Sequence, residues 1–598
     1  MTRDKPIDID WTCELAKQLY NIDGELKRTF LDINDKGHLV LKINGDSIDL
    51  YDLAKRTGFP GFYIRVLFLI KSNMDRVYET FTEAMKKYNY RGALYPVFPL
   101  KVNSEKIVID LIYNYGSKYG WGFNVTSSAE IDLISEYADR EPRILVLDGF
   151  KTEKTIERLE KFRERGWKVI VDIENVYDAK LMDRFRDYDI GLRIKFMSRG
   201  KGPWKGSAGL DSKFGLSIYT LDKLLSKYDW IYDKAVMLHT HPGSQIYDLE
   251  TIRKYLVESA NLFRELKSYG LERMEYIDFG GGLPYPYHES RLETRIENMA
   301  SPNYGLVEYV EEIMKALVNE SKDHPNIIFE GGRFIVASHR IVISKVLTYK
   351  SYEIFVDEEP SNTRFEELRK INDLDTLEKW LKFMLDRLEY EMNNCTYSIV
   401  DRQELEFEYG LLEKAVTRKV RELLSNGEKI DDLLKKHKLL KDFMTKPTHR
   451  FYAVLSVFAH IPDKLIVNQY FQVIPLQRLN EKPDVLAVIS DLTCDSMGEY
   501  GEFYTTVKNN SLPQVIFANV DNKIIAIKGR MLHLKGIPLH LPRENEDYYI
   551  AILDTGAYQD NLSMNHNSLG KFSEVIIDYE NGKLDIRIVK NPQDRYID

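Results

Sequence analysis

From residue 94 to residue 330 the sequence alternates between short apolar runs and segments of helical periodicity, such as 152–165 and 249–269. Strands and helices that alternate with short loops imply parallel strands joined by right-handed crossovers. Eight such units in about 250 residues match the size of a (β/α)8 barrel. A doubly wound open sheet is the alternative, but no Gly-x-Gly-x-x-Gly follows the first run. The predicted strands cover residues 94–101, 119–125, 143–148, 168–173, 190–196, 234–241, 275–280 and 326–330.

The pattern changes on both sides of this region. Residues 1–60 contain short strand candidates, of which 37–44 is the clearest, and 61–90 have the apolar spacing of a helix. Residues 361–446 lack proline and are rich in Glu, Lys, Arg and Leu, which predicts a helical insert, and strands dominate from 451 onward. The predicted fold class is α/β: a TIM barrel plus a β-sandwich or β-barrel domain with a helical insert. The predicted divisions are N-terminal strands joining the β-domain over 1–60, the barrel over 61–337, a β-domain strand over 338–356, the insert over 357–447 and the β-domain over 448–598.

Composition excludes several classes of function. A formal charge of −9 and a pI near 5.9 argue against nucleic acid or an anionic membrane as a partner. The sequence has no run of about 18 apolar residues that could span a membrane, and its N-terminus lacks the apolar stretch of a signal peptide. Cys13, Cys395 and Cys494 lie far apart without a Cys-x-x-Cys spacing, which favours reduced thiols in a cytoplasm over zinc or disulfides.

The first predicted strand ends in a single lysine, Lys101, and a polar turn follows at 103–105. At the mouth of a barrel such an amine can be partly desolvated, with a lowered pKa, and can form a Schiff base with a carbonyl. A solvated charge at a strand end is the ordinary alternative. The assignment therefore depends on what the other strands carry.

The sixth predicted strand carries His239 and His241, which share one face of the strand. A metal pair is one interpretation, but no third ligand is evident. In a second interpretation one imidazole packs flat on an aromatic ring, while Ser244 and the neighbouring amides hold an anion. A structural histidine followed by a turn is the third.

The seventh and eighth predicted strands are followed by groups suited to an anion. Gly280, Gly281 and Gly282 free the backbone to present consecutive N–H groups, although a plain flexible loop has the same composition. Glu330 and Arg333 offer opposite charges to one small ligand, and the planar fork of arginine suits phosphate. An internal ion pair between these two residues is the alternative.

A Schiff-base lysine, a phosphate nest with an arginine, and an acid for a pyridine nitrogen are the parts that pyridoxal phosphate needs. In this set the chain resembles the alanine-racemase-like (fold III) decarboxylases, and among them the biosynthetic arginine decarboxylases, over nearly its whole length. The resemblance implies decarboxylation of L-arginine to agmatine and carbon dioxide, the first step of a polyamine route to putrescine and spermidine. It also implies dependence on magnesium, for which no residue pattern in this sequence provides a site.

The resemblance implies a role for each matching residue. Lys101 would form the Schiff base, His241 would stack on the cofactor ring, and Glu330 would pair with the pyridine nitrogen. Cys494 would reprotonate the α-carbon, and Asp495 would attract the distal cation of the substrate. In the family these last two reach into the partner subunit's site, which implies an obligate homodimer and a higher oligomer such as a tetramer. The residues implied to hold the phosphate are Ser244, Gly280, Gly281, Gly282, Arg333 and Tyr558.

The chain departs from the family pattern in places that bear on substrate choice. Relatives have an acid at the end of the second strand, where 124–127 reads Asn-Val-Thr-Ser, and Pro242 stands where an aliphatic residue is common. Other decarboxylases of this fold, acting on ornithine, lysine, diaminopimelate or carboxynorspermidine, are therefore alternatives. A catalytically dead regulatory homologue, and a metal-dependent barrel hydrolase using His239 and His241, are further alternatives.

Overall fold

A computed structural model describes residues 11–175, 177–178, 181–197, 209–289, 301–321, 323–351, 365–394, 398–505, 516–520, 523–527 and 532–596. Cys395 lies outside these residues. Eight parallel strands close into a barrel, and each overlaps one of the eight predicted runs. The predicted (β/α)8 barrel is therefore confirmed.

The barrel closes because its first strand pairs in parallel with both the second and the eighth. Its interior is packed with side chains such as Val97, Val146, Met237 and Ile328, as is usual for a barrel of this size. At Gly191 a Cβ atom would lie 2.5 Å from Met237 Cε, so this interior position accepts only glycine without a shift. The strands are Leu94–Pro99, Gly122–Val125, Ile144–Leu147, Lys168–Ile173, Asp189–Arg193, Ala235–His239, Tyr276–Asp278 and Asn326–Phe329.

The connecting helices lay one apolar face on the outside of the barrel. Leu249–Ser268 buries Ile252, Leu256 and Phe263 at helical spacing. This helix begins at Asp248, whose side chain accepts a hydrogen bond from Thr251 N at 3.0 Å. The helices around the barrel are Leu67–Lys87, Lys106–Tyr115, Ser128–Ile134, Glu153–Glu164, Ile218–Lys227, Leu249–Ser268, Leu306–Ala316 and Gly332–Val336.

A second sheet of ten strands forms beside the barrel. Arg340–Ser351 pairs antiparallel with Gly61–Val66 and with Tyr548–Ile552. The prediction of helical structure throughout 61–90 is therefore wrong for its first residues, which form a strand. All six residues of Gly61–Val66 are buried, and such a run lacks the alternation that separates a strand from a helix. The other strands of this sheet are His449–Ala453, Val473–Pro475, Val485–Ser490, Glu499–Tyr500, Ile537–Leu539, Glu574–Glu580 and Lys583–Val589.

The helical insert has a hydrophobic core of its own, in which Leu377 and Leu381 are fully buried. Its helices are Leu374–Asn394, Ile399–Ser425, Ile430–Lys436 and Lys438–Thr445. The limits of the predicted domains stay predictions.

The N-terminal strands form a small sheet joined to the β-domain. Leu39 N donates a hydrogen bond to Leu476 O at 2.9 Å. In the part of the chain described here, no helix is long and apolar enough to cross a bilayer. The remaining strands are Leu31–Ile33, Leu39–Ile43, Asp46–Asp49, Phe503–Thr505, Ile516–Val520, Lys523–Ile527 and Leu532–Leu534, and the remaining helices are Cys13–Leu19, Leu50–Thr57, Val457–His460, Asp463–Val467 and Gln559–Leu562.

Candidate active site

The carboxyl ends of the barrel strands carry a ring of polar residues. Parallel strands end at the same rim, so side chains far apart in sequence converge there. Asp148, Asp278 and Glu330 are almost completely buried at this rim. The ring contains one residue at or beside the end of each strand: Lys101, Asn124, Asp148, Asp172, Arg193, His239, Asp278 and Glu330.

Lys101 lies beside a carboxylate from the third strand. Its Nζ is 3.6 Å from Asp148 Oδ2. Burial by itself would lower the pKa of Lys101, but the carboxylates of Asp148 and Glu330 outweigh it and raise the pKa above its ordinary value. The expectation of a lowered pKa at this position is therefore wrong, because it considered desolvation without the neighbouring acids.

The turn that carries Lys101 is held by a loop of the β-domain. Tyr558 N donates to Val102 O at 2.6 Å, and Asn561 Nδ2 donates to Lys101 O at 3.2 Å. Asn103 Nδ2 in turn donates to Gly556 O at 2.9 Å. The lysine is thus positioned by a segment more than four hundred residues away in sequence, as the separation of 460 between Lys101 and Asn561 shows.

Glu330 belongs to a buried cluster with Asp278 and His239, whose candidate ligand atoms all lie within 4.8 Å of one another. Asn124 Nδ2 donates to Glu330 Oε1 at 3.1 Å. Burial, and then the charge of Glu330, raise the pKa of Asp278 well above its ordinary range. Two carboxylates this close cannot both ionise without a large penalty, so the neighbouring Glu330 favours the protonated form of Asp278.

His239 links this cluster to the fourth strand. Its Nδ1 lies 2.6 Å from Asp172 Oδ2, and burial lowers the pKa of the imidazole well below its usual value. A neutral ring beside a carboxylate carries its proton on Nδ1, which leaves Nε2 as an acceptor. Burial raises the pKa of Asp172 to about 7. Among the described residues neither His239 Nε2 nor Asp278 Oδ2 has a hydrogen-bond partner.

An anion site lies around Arg333, which follows the eighth strand. Its Nε donates to Ser244 Oγ at 3.2 Å, and its Nη1 donates to Tyr287 OH at 2.9 Å. The guanidinium carbon is 4.6 Å from the centre of the Tyr558 ring. Arg333 is 4% exposed, so its charge acts in a site of low dielectric, where it attracts an anion strongly.

The glycine loop lies against the ring of His241. A Cβ atom on Gly280 would be 2.6 Å from His241 Cδ2, and Gly280 has a φ of +63°. His241 Nδ1 accepts a hydrogen bond from Gly243 N at 3.0 Å, which orients the ring. Gly281 and Gly282 continue the loop, and Gly282 also has a positive φ, +99°. The structure thus brings His241 and the three glycines together, and their roles towards a cofactor stay predictions.

Cys494 and Asp495 are placed differently. Both lie in an exposed turn of the β-domain after Val485–Ser490. Cys494 Sγ is 3.5 Å from Asn567 Nδ2, and Asp495 Oδ2 is 3.9 Å from His566 Nε2. Within the described residues, none of their hydrogen bonds or ion pairs reaches the barrel. The roles of both residues stay predictions.

Several residues of the site are not among the sequence candidates. Asp148 and Asp172 stand at or beside the ends of the third and fourth predicted strands, so reading every strand end would have found them, whereas Arg193 lies inside the predicted run 190–196 and ends the observed strand Asp189–Arg193. Arg193 Nη1 pairs with Glu174 Oε2 at 2.8 Å beside this cluster. Tyr287 has no such signal, because only the fold brings it to Arg333.

Two groups of described side chains could hold a metal ion. One is His239 with Asp278 and Glu330, and it does not include His241, the other member of the histidine pair in the sequence. The other lies in the N-terminal region: His38, Asp49 and Asp52. Magnesium prefers a shell of oxygen ligands, and each group contains a histidine. Dependence on magnesium stays an expectation from the family resemblance.

Comparison with known proteins agrees with this geometry. Residues 74–337 match the family model described as the pyridoxal binding domain of pyridoxal-dependent decarboxylases. The barrel, the lysine at its mouth and the anion site therefore define a pyridoxal-dependent decarboxylase, as the sequence predicts.

Relatives that align with nearly the whole chain show which family of pyridoxal-dependent decarboxylases it belongs to. The chain is 30% identical over 625 aligned residues to a biosynthetic arginine decarboxylase of Pelobacter propionicus, covering 97% of this chain and 89% of the relative. It is 29% identical to that of a Geobacter species, covering 95% and 88%. A solved biosynthetic arginine decarboxylase from Campylobacter jejuni superposes with a TM-score of 0.68 at 25% identity, covering 96% of this chain and 90% of that one. The chain belongs to the biosynthetic arginine decarboxylase family.

Proposed function

We propose that this enzyme decarboxylates L-arginine to agmatine and carbon dioxide, as the first step of a route to putrescine and spermidine. The observation that carries the proposal is the position of Lys101, 3.6 Å from Asp148 at the barrel mouth, with the buried acid Glu330 and the anion site of Arg333 after the adjacent eighth strand. The relatives named for arginine support the choice of substrate. We further propose a cytoplasmic location, which the wide spacing of the three cysteines supports.

The described residues fit pyridoxal phosphate. Gly280 leaves room for the His241 ring that a side chain would fill, and Arg333 with two hydroxyl groups suits a phosphate. The unpartnered buried atom Asp278 Oδ2 lies beside Glu330, where a ring nitrogen would need an acid. When bound, the cofactor supplies a carbonyl for the substrate amine and an electron sink for the electron pair that stays on the α-carbon when carbon dioxide leaves.

Each of the residues at the barrel mouth would have its own role towards the bound cofactor. Lys101 would hold the cofactor covalently, after its Nζ loses the proton that Asp148 and Glu330 stabilise. Glu330 would keep a proton on the pyridine nitrogen, with Asn124 fixing the carboxylate. Asp278, whose pKa is raised by burial and by Glu330, would in its protonated form add no second negative charge there. His241 would lie flat on one ring face, since Gly243 N already orients its imidazole.

The phosphate would lie at the anion site. Arg333 would bind it, with the Ser244 hydroxyl, the amides of 280–282 and Tyr558 completing the shell. Burial raises the pKa of Tyr287 to about 12, so its hydroxyl stays neutral and can donate as well as accept.

Cys494 and Asp495 would act in the site of a second subunit. The exposure of Cys494 and the position of both residues in a surface turn beside Asn567 and His566 support this proposal. Cys494 would return a proton to the α-carbon, and Asp495 would attract the guanidinium of arginine. The proposed assembly is a homodimer with shared sites, and a tetramer built from such dimers is the larger form.

Mixed dimers test the sharing of sites. Lys101→Ala and Cys494→Ala would each be inactive alone. Mixing the two after dissociation should restore roughly a quarter of the wild-type activity, because random pairing leaves one intact site in half of the dimers. Absence of any recovery, with mixed dimers shown to form, would refute a shared site.

The function itself is tested by spectrum and product. Purified protein loaded with pyridoxal phosphate should show the absorbance of a lysine Schiff base, and L-arginine should give equal amounts of agmatine and carbon dioxide. Lys101→Ala should abolish both. Lys106→Ala is the matched control, because that lysine forms an exposed ion pair with Asp110 at 2.9 Å. Turnover of ornithine, lysine or diaminopimelate instead of arginine would refute arginine as the substrate. Failure to bind the cofactor would refute the assignment as a decarboxylase.

A further inference from the structure

The N-terminal segment 20–30 inserts one lysine, Lys27, into the protein near the anion site. Its side chain is completely buried, at 0% exposure, which is rare for lysine unless the charge is paired. Lys27 Nζ donates to Tyr287 O at 2.5 Å and lies 3.2 Å from Asp554 Oδ2. One ammonium group therefore joins the chain beyond the glycine loop to the loop that leads to Tyr558.

These two segments flank Arg333. The hydroxyl of Tyr287 accepts from Arg333 Nη1 at 2.9 Å, and the ring of Tyr558 lies 4.6 Å from Arg333 Cζ. Lys27 holds the backbone of the first of these neighbours and, through Asp554, the loop of the second.

The segment that carries Lys27 is itself anchored to the same region. Glu289, two residues after Tyr287, accepts hydrogen bonds from Leu26 N at 2.9 Å and from Lys27 N at 3.0 Å. Glu289 N donates to Asn21 Oδ1 at 2.7 Å. The N-terminal segment therefore holds Tyr287 at two places, its backbone carbonyl and Glu289 two residues later.

Asp554 completes the connection. Its Oδ1 accepts from Tyr285 OH at 2.7 Å, two residues before Tyr287. Burial raises the pKa of Asp554, and Lys27 opposes that rise. Asp554 also has a φ of +61°, a conformation that a non-glycine residue adopts only when its surroundings hold it.

We propose that Lys27 is a positioning residue for the phosphate site, holding Tyr287 and the Asp554 loop so that Arg333 is fixed before an anion binds. A site that is already ordered loses less conformational entropy on binding than one that must be ordered by the ligand. Removing the ammonium group should therefore weaken binding of a phosphate-bearing ligand more than binding of the same ligand without phosphate. This inference rests on the proposed cofactor but not on the proposed substrate.

The test compares pyridoxal phosphate with pyridoxal, which has the same reactive carbonyl and no phosphate. Apoenzyme is titrated with each, and the dissociation constants are read from the change in absorbance. We expect Lys27→Met to weaken pyridoxal phosphate about tenfold, and pyridoxal by less than about threefold. The matched control is Lys17→Met in the same N-terminal region, which removes a half-buried ion pair with Asp32 at 2.7 Å and should leave both constants unchanged.

Tyr287→Phe is the second variant, because it keeps the packed ring and removes only the hydroxyl that Arg333 contacts. It should show the same selective loss, and it keeps the proposal open to refutation if Lys27→Met does not fold. Equal weakening of both ligands by the folded variants, or no weakening, would overturn the positioning role. Wild-type protein that binds the cofactor but leaves arginine unchanged would refute the proposed substrate while leaving this inference intact.

Discussion

Asp148→Asn should make Lys101 easier to deprotonate. The carboxylate stands 3.6 Å from Lys101 Nζ, and the lysine side chain is 34% exposed. At that distance two charges interact by about 1 kcal/mol in a water-like dielectric and by about 5 kcal/mol at an effective dielectric of 20. Partial exposure places the value between these limits, at about 1.5–3 kcal/mol. Loss of the negative charge disfavours the ammonium form, so the pKa of Lys101 should fall.

The assay is the rate at which apoenzyme captures pyridoxal phosphate, measured by absorbance across a series of pH values. Capture needs the neutral amine, so the midpoint of its pH profile should move down by roughly 1 to 2 pH units in the variant. Asp132→Asn is the control, because Asp132 pairs with Arg158 on the surface. A midpoint that stays in place or rises would refute the view that Asp148 stabilises the protonated lysine.

Other expected outcomes concern stability and the shape of the site. Arg65→Met should cost about 1.5–3 kcal/mol of unfolding free energy in urea, because it removes the nearer of the two arginines that pair with the buried Asp560, 2.9 Å from Arg65, and leaves only Arg340 at 3.5 Å. Burial would raise the pKa of Asp560, but its two arginine neighbours outweigh burial and lower the pKa strongly. The stabilisation by ionised Asp560 is therefore present above about pH 4 and fades as the pH falls below that value. Asp560→Asn should flatten the acid side of a plot of unfolding free energy against pH, and an unchanged acid side would contradict this. Gly280→Ala should weaken the binding of pyridoxal phosphate about tenfold while the protein stays folded, because the new Cβ would lie 2.6 Å from the His241 ring. Unchanged affinity in a titration would refute the view that Gly280 leaves the space that the His241 ring needs. Leu381→Ala, at a site with 0% exposure in the core of the insert, should cost about 2–5 kcal/mol in urea unfolding yet leave the cofactor spectrum unchanged; a lost spectrum would show that the insert shapes the site.

The barrel was predictable because its signal is local. Each strand is a short apolar run, and each end of a run can be read from a few neighbouring residues. The same rule fails at Gly61–Val66, where every residue is buried and the composition alone does not separate a strand from the start of the following helix. Antiparallel pairing with Arg340–Ser351, almost three hundred positions later, makes this segment a strand.

The candidate site also contains some features that local sequence reveals and others that depend on distant residues. Lys101, Glu330 and Arg333 were recognisable because each follows its strand within a few residues, and the structure brings them to one end of the barrel. The pKa of Lys101 was predicted in the wrong direction, since the sequence does not show that Asp148 lies beside it.

The sequence by itself determined the eight-stranded barrel, Lys101 and Glu330 at its rim, and the class of cofactor that such a set can hold. Only the tertiary structure decided which charges face one another, and hence the direction in which the pKa of Lys101 and the pKa of Asp278 are shifted. It also decided that Lys27 reaches Tyr287 across 260 positions of sequence. The physical reason is that strand and helix formation depend on spacing along the chain, whereas electrostatic interactions and hydrogen bonds depend on distances in space, which folding alone establishes.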